Sequence, residues 1–139
     1  MDSTYTFHHV AISVRDLTAS QAFYEKLGFT EVHRWIAEDK SLAIVHLKLN
    51  NAILELFAYA SNAKTDQLDL QVANDLQAIG VKHVGLQVIN AKTTFEEMKQ
   101  TGYELGSSEV ITGRTNIDYF FIKDPDGMWV EIVQDERGY

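Results

Sequence analysis

The chain has 139 residues, 45% of them hydrophobic, which is enough for one compact domain or two small modules with a buried core. Its formal net charge of −8 argues against nucleic-acid binding, because an acidic surface repels phosphate backbones. The absence of cysteine excludes disulfides, thiolate metal sites and cysteine nucleophiles. No apolar run approaches the roughly 20 residues of a membrane-spanning helix, and no export signal opens the sequence. We therefore expect a cytoplasmic protein with neither nucleic-acid nor membrane partners.

The first half of the sequence predicts a strand, a helix and three further strands. Alternating apolar and polar residues over 8–15 favour a strand. Asp16 is placed to begin a helix, and Gly28 is placed to end it, because glycine adopts a left-handed cap without a Cβ clash. Three strand-like runs follow, at 29–37, 42–49 and 52–59. Asn50 and Asn51 form the turn between the last two.

The second half predicts the same order of elements. A strand over 82–89 precedes a helix over 91–101, and three strands follow near 103–110, 116–123 and 128–134. Asp124-Pro125-Asp126-Gly127 is a typical turn sequence before the last strand. The polar stretch between the halves predicts a short helix near Leu70–Ile79.

The two halves also repeat in sequence. His9-Val-Ala-Ile-Ser-Val14 has a close counterpart in His83-Val-Gly-Leu-Gln-Val88, 74 residues later, and Glu55 is matched by Glu131, 76 residues later. Self-similarity at a nearly fixed offset indicates a duplicated unit. We predict a single α+β domain over 1–139 with two βαβββ modules, residues 6–60 and 82–135, joined by a linker over 61–81.

Strand alternation places both histidines on a face of small and polar residues. His9 shares its face with Ala11 and Ser13, and His83 shares its face with Gly85 and Gln87. The opposite, apolar face of each strand is expected to pack under the helix. The histidine faces are therefore predicted to line a cavity.

The two glutamates lie within apolar strands, where a carboxylate is costly unless it is paired or bound to a metal. A single strand histidine or glutamate is more often an ordinary surface or core residue. The recurrence of a histidine and a glutamate in both modules makes coincidence the weaker interpretation. Two imidazoles and two carboxylates suit a borderline divalent ion that keeps positions for water or substrate.

The chain is similar to the vicinal oxygen chelate superfamily, most closely to its glyoxalase I-like (lactoylglutathione lyase-like) branch. The resemblance covers nearly the whole chain, over His9–Leu17, Phe23–Phe29, Leu54–Leu56, His83–Val88 and Asp124–Glu131. The Asp-Pro-Asp-Gly turn followed four residues later by glutamate is a specific signature of that family.

The resemblance implies that the two modules form a curved-sheet half-barrel with one divalent ion per site. The ligand positions of the family fall on His9, Glu55, His83 and Glu131. Nickel, cobalt, zinc, manganese and iron all remain open as the ion. The resemblance further implies a small-molecule substrate and a homodimer, with the ligands supplied by one chain or by two.

The chemistry expected at such a site is a proton shift next to a carbonyl. A divalent ion holding two substrate oxygens stabilises an enediolate, and Glu55 and Glu131 are the candidate catalytic carboxylates, with Glu131 as the principal base. The substrate-binding candidates are Phe57, Tyr59, Trp129 and Arg114. Ordinary core packing explains the three aromatic residues equally well.

Other functions of the same superfamily stay open. They are an acyl-CoA epimerase, a fosfomycin-type thiol transferase, an extradiol dioxygenase and a non-catalytic small-molecule-binding protein. Glutathione recognition is in question, because Ser13 and Tyr59 stand where glyoxalase I has arginine and asparagine. His8, His33 and His46 are placed outside the site, since they fall on the wrong face or lack a symmetric counterpart.

Overall fold

A computed structural model describes residues 5–62 and 71–138. The chain divides into two compact units, Met1–Lys64 and Thr65–Tyr139. The first unit contains β1 (His9–Ser13), α1 (Leu17–Lys26), β2 (Thr30–Ile36), β3 (Leu42–Leu49) and β4 (Ala52–Tyr59). Its four-stranded sheet has the order β1-β4-β3-β2, in which β1 and β4 are parallel and the other pairs antiparallel.

The ends of α1 follow the sequence signals. The Asp16 carboxylate accepts a hydrogen bond from the backbone N–H of Ala19 at 3.0 Å, which satisfies a donor that the first helical turn leaves unpaired. Gly28 follows the helix with φ of +101°, a conformation that disfavours any residue with a Cβ. The predicted start and end of this helix are confirmed.

One face of the first sheet forms the core of its unit. Alternating residues of β3 and β4 are almost completely buried where α1 packs, namely Val45, Leu47, Leu54 and Leu56. Tyr24 of α1 and Phe29 complete this core with their rings edge to face at 5.8 Å. The intervening residues of the same strands, Glu55 among them, are left on the opposite face.

The second unit contains α2 (Val72–Gln77), β5 (Val84–Gln87), α3 (Ala91–Gln100), β6 (Ile111–Thr112), β7 (Asp118–Lys123) and β8 (Trp129–Gln134). Its sheet order, β5-β8-β7-β6, repeats the first, with a parallel β5–β8 pair. The buried face packs on α3, where the rings of Phe95 and Phe120 meet edge to face at 5.1 Å. Two βαβββ modules were predicted and are confirmed.

The turn before β8 is built as its sequence indicates. Asp124 is 5% exposed, and its carboxylate accepts hydrogen bonds at 2.9 Å from the backbone N–H groups of both Asp126 and Met128. Gly127 has φ of +85°. The Asp124 side chain therefore replaces backbone hydrogen-bond partners inside the turn and fixes where β8 begins.

The prediction of a strand over 103–110 was wrong. The structure has one isolated bridge, between Leu105 and Ile122, and then the two-residue strand β6. The backbone at Gly106 lies so close to Trp129 that a Cβ there would be 2.8 Å from the indole ring. Close approach of the backbone to a large side chain replaces regular strand pairing in this segment.

The linker helix and the closure of the sheets can also be compared with the predictions. The linker helix is shorter than predicted: α2 covers 72–77, Leu70 lies outside the described residues, and Ile79 is fully exposed. Both sheets are open, and neither closes into a barrel. None of the helices in the described parts of the chain is long and apolar enough to cross a membrane.

Candidate metal-binding pairs

The first sheet brings His9 and Glu55 together. Ala11 of β1 lies opposite Glu55 of β4, so His9, two residues earlier, shares the face of that glutamate. The His9 Nε2 atom lies 3.6 Å from Glu55 Oε1, and the side chains are 41% and 17% exposed. We call these two residues the first histidine–glutamate pair.

His46 also contacts this pair, which corrects its placement outside the site. It lies directly opposite Glu55 in the antiparallel β3–β4 ladder, with its Nε2 2.6 Å from Glu55 Oε2. The sequence carried the signal, because a two-residue turn at Asn50 and Asn51 fixes the register of a hairpin. That register sets Leu49 opposite Ala52 and, three residues along each strand, His46 opposite Glu55.

Further histidines extend this polar row on both sides. His8 Nδ1 lies 2.8 Å from His9 Nδ1, so the second ring nitrogen of His9 is hydrogen-bonded. His33 of β2 lies opposite His46, with the ring centroids 5.6 Å apart. His8 is therefore hydrogen-bonded to a member of the first pair, whereas His33 lies beside His46, one strand further from the pair.

The second sheet repeats the pair in the same register. Gly85 of β5 lies opposite Glu131 of β8, and His83 precedes Gly85 by two residues. The His83 Nε2 atom lies 3.1 Å from Glu131 Oε2, and the two side chains are 21% and 19% exposed. These two residues form the second histidine–glutamate pair.

The surroundings of the second pair are apolar. The edge of the His83 ring packs on Phe121 at a centroid distance of 5.0 Å. His83 Nδ1 is buried and, among residues 5–62 and 71–138, has no hydrogen-bond partner. Phe121 lies opposite Glu131 in the β7–β8 ladder, which is the position of His46 relative to Glu55.

Glu131 opens onto a cavity within the second unit. Its volume is about 740 Å³, inside the range of small-molecule sites. The side chains that line it include Leu76, Ile111, Arg114, Ile117, Tyr119 and Phe121. One predicted substrate-binding residue, Arg114, thus lines the same cavity as one predicted catalytic residue, Glu131.

The other predicted substrate-binding residues lie elsewhere. Trp129 is 7% exposed, packs against Phe121 and Gly106, and carries the Lys123 ammonium 5.0 Å above its ring; it does not line the cavity. Phe57 is half-buried on the face of the first sheet that carries Glu55, and Tyr59 is half exposed on the same face. The structure therefore places two of these aromatic residues with the first pair.

The donor atoms of each pair suit a divalent ion. Two ligands at about 2.0–2.2 Å from one tetrahedral ion lie about 3.4 Å apart, close to the observed 3.6 Å and 3.1 Å separations. Imidazole and carboxylate together are typical of zinc, nickel, cobalt and iron sites. Over the part of the chain that the structure describes, no three such side chains are arranged to hold an ion.

A close charge pairing lies away from both histidine–glutamate pairs. The Arg34 guanidinium and the Gln21 amide hydrogen-bond the Glu31 carboxylate at 2.7–2.9 Å and lower its pKa to about 2. Arg34 also donates to Gln21 at 2.6 Å. This network ties the edge strand β2 to α1.

Comparison with known proteins gives the family. The chain belongs to the Glyoxalase/Bleomycin resistance protein/Dioxygenase superfamily, whose family model matches residues 6–132. Members of this superfamily, also called vicinal oxygen chelate proteins, commonly use a divalent metal ion. The match confirms the resemblance to glyoxalase I-like proteins that the sequence indicated.

Several curated relatives are similar at low identity. YwkD of Bacillus subtilis (strain 168) is 28% identical over 133 residues, which cover 93% of this chain and 96% of YwkD. The human mitochondrial methylmalonyl-CoA epimerase is 28% identical over 133 residues, covering 91% of this chain and 72% of the enzyme. The lactoylglutathione lyase of Schizosaccharomyces pombe is 26% identical over 140 residues, covering 95% of this chain but 46% of that enzyme.

Solved structures share the fold. The glyoxalase family protein from Enterococcus faecalis matches with a TM-score of 0.74 and 25% identity, over 94% of this chain and 98% of that protein. The structure of SMU.1112c matches with a TM-score of 0.77 and 23% identity, over 95% and 100% of the two chains.

Proposed function

We propose that this protein is a divalent-metal-dependent lyase or isomerase of the glyoxalase I type, which moves a proton next to a carbonyl. The observation that carries the proposal is the recurrence of one histidine and one glutamate, at the same register, in both sheets. Each pair holds its nitrogen and oxygen at a separation that suits ligands of one ion. The ligands proposed are His9, Glu55, His83 and Glu131.

When bound, the ion would polarise two substrate oxygens and stabilise negative charge beside the carbonyl. The proton would then be taken by Glu131, whose half-buried carboxylate opens onto the cavity. A carboxylate performs such a transfer when it lies within hydrogen-bond reach of the substrate proton. Glu55 would act from the other pair, as a ligand and as the partner carboxylate.

The lining of the cavity beside Glu131 supports a proposal about the chemical character of the substrate. Its walls are largely apolar, with the exposed guanidinium of Arg114 among them. A compound with an apolar body and an anionic group would fit this combination. Phe57 and Tyr59 would contact the substrate from the first pair, and Trp129 would stiffen the wall behind Phe121.

An acyl-CoA epimerase is the second candidate. The similarity to the human methylmalonyl-CoA epimerase favours it, since that enzyme is matched over more of its length than the lactoylglutathione lyase is. Glutamate at position 55 favours the lyase, because related epimerases often carry glutamine there. Both reactions use a carboxylate that moves a proton next to a carbonyl.

The test is a substrate screen with metal-loaded protein. Hemithioacetals, acyl-CoA epimers and fosfomycin with a thiol are offered separately, with the Glu131→Gln protein as the matched control. We expect turnover of a hemithioacetal that the control lacks. Epimerisation alone would select the second candidate, thiol addition or oxygen-dependent ring cleavage would select another superfamily activity, and binding without turnover would overturn the proposal.

We also propose that the protein is a homodimer. Strand β2 is an open edge of the first sheet and is exposed along its whole length, with Val32, Trp35 and Ile36 each about half exposed. An exposed edge that carries large apolar side chains is favourable for pairing with a second copy. Light scattering at micromolar concentration should give twice the mass of 15.8 kDa, and a monomer would contradict it.

A further inference from the structure

The carboxylate of Glu55 is held by a neighbouring imidazole. His46 Nε2 lies 2.6 Å from Glu55 Oε2, and the two side chains are 25% and 17% exposed. An ionised carboxylate only accepts hydrogen bonds, so the imidazole nitrogen is the donor. A short hydrogen bond to a charged group in a half-buried place is a strong orienting contact.

The two oxygens of Glu55 therefore have different surroundings. Oε2 accepts the hydrogen bond from His46, whereas Oε1 faces His9 Nε2 at 3.6 Å. His46 uses Nε2 as a donor, which leaves this nitrogen unable to bind a metal at the same time. His46 is thus placed behind the ligand oxygen, as a support for Glu55.

The second sheet lacks this support. Phe121 occupies the equivalent ladder position, opposite Glu131, and an aromatic hydrocarbon ring cannot donate a hydrogen bond to the carboxylate. In the described ranges, the hydrogen bonds of the Glu131 side chain are limited to the one with His83. The duplicated scaffold therefore carries one supported and one unsupported glutamate.

We propose that His46 is a positioning residue that fixes the Glu55 carboxylate for metal binding through Oε1. The inference rests on the proposed function, in which Glu55 is a ligand. Partners that hold a metal ligand typically raise metal affinity by about 10–100-fold. His46 is therefore expected to make the first pair the stronger half of the ligand set.

The test compares cobalt(II) binding by four forms of the full chain. They are the wild type, His46→Phe, which copies the second module, His46→Gln, which keeps an N–H donor, and His33→Phe as a matched control on the neighbouring strand. Affinity is measured by competition with a chelator, and the visible cobalt spectrum reports ligand geometry. Circular dichroism without metal checks that each form is folded.

We expect His46→Phe to lose about 10–100-fold in cobalt affinity and to change the visible spectrum. His46→Gln should recover most of both, and His33→Phe should match the wild type. Equal affinity and equal spectra in the wild type and His46→Phe would overturn the role of His46 while leaving the proposed function intact. Absence of cobalt binding by the wild type would overturn the proposed function itself.

A second measurement avoids any variant at His46. In nitrogen-15 spectra of the metal-free wild type, one histidine should show a protonated, hydrogen-bonded Nε2, and Glu55→Gln should shift that resonance. Glu131→Gln should leave the same resonance in place. An Nε2 resonance insensitive to Glu55→Gln would show that the hydrogen bond does not form in solution.

Discussion

The two modules share a backbone plan but surround their histidine–glutamate pairs differently. In the first module, Glu55 is hydrogen-bonded to His46 and His9 to His8. In the second, Phe121 replaces the equivalent of His46, and His83 Nδ1 is buried without a partner among the described residues. The histidine–glutamate pair thus recurs in both modules, whereas the residues that contact the pair differ.

The difference extends to the face on which each pair lies. Phe121 and Trp129 are nearly buried, with their ring centroids 5.9 Å apart and the Gly106 backbone against the indole. Phe57 and Ile44, opposite each other in the first sheet, are only partly buried. The second module therefore supplies a packed apolar wall, and the first supplies a polar row.

The largest expected effect separates the two glutamates. At metal saturation, Glu131→Gln should lower deuterium exchange of a substrate α-proton by about 10²–10⁴-fold, because an amide cannot accept the proton. Glu55→Gln should instead weaken metal binding first, and part of the exchange should return when excess metal is supplied. Proton NMR of the substrate measures the exchange rate of each variant, with and without excess metal.

Exchange at the wild-type rate in Glu131→Gln would leave Glu131 as a ligand only. The catalytic role would then fall to Glu55 or to a water molecule in the site. Elemental analysis of both proteins is the control that metal content is equal.

An effect of intermediate size, on the free energy of unfolding, is expected where Gly106 packs on Trp129 and Phe121 in the second module. Gly106→Ala places a Cβ 2.8 Å from Trp129 and 3.1 Å from the Phe121 Cβ, and we expect a loss of about 1–3 kcal/mol in the free energy of unfolding. Gly85→Ala is the matched control. Its Cβ would meet only Glu131 Oε2, at 3.8 Å, and the first module already carries Ala11 at this position, so we expect a change within about 0.5 kcal/mol.

Urea unfolding of the two variants measures the comparison. A similar loss for both would mean that the loop at Gly106 does not pack on Trp129 in solution.

Much of the fold followed from the sequence for local reasons. Strands 42–49 and 52–59 were predicted to the residue, because their alternation is strong and Asn50 and Asn51 force a tight turn. The segment 103–110 failed, because the contact between Gly106 and Trp129 joins residues distant in sequence and leaves no periodic pattern. Local sequence patterns predict turns and the buried face of each strand, but they do not predict packing between residues that are distant in sequence.

The candidate site divides in the same way. His9, Glu55, His83 and Glu131 were predicted because the repeat marks them, and the structure brings each histidine close to the glutamate of its own module. His46 was missed because the search required a symmetric counterpart, and Phe121 stands at its equivalent position. A repeat reveals what two modules share and conceals what only one of them has.

The smallest expected effect concerns the hydrogen-bond network of Glu31, Arg34 and Gln21, which ties the edge strand β2 to α1. The pKa of Glu31 is lowered to about 2 by Arg34 and Gln21, so the ionised form is favoured in the folded state. The resulting stability is present above pH 4.5, the ordinary value, and is lost as the pH falls through about 2. Glu31→Gln should therefore lower the unfolding midpoint slightly at pH 7 and leave it unchanged near pH 2.

The matched comparison is Glu38→Gln, on the loop between β2 and β3, for which we expect the same midpoint as the wild type at both values of pH. A Glu31→Gln effect that grew as the pH fell would contradict the assigned sign.

The most direct test of the central claim is the metal content of four purified proteins, the wild type and three single-histidine variants. We predict about one divalent ion per pair of modules in the wild type, by elemental analysis, and almost none in His9→Ala or in His83→Ala, since each change removes an imidazole ligand. His33→Ala is the control and should keep the ion, because removing a histidine outside the two pairs should not reduce the metal content. Unchanged metal in either His9→Ala or His83→Ala would contradict the assignment of the histidine–glutamate pairs as its ligands.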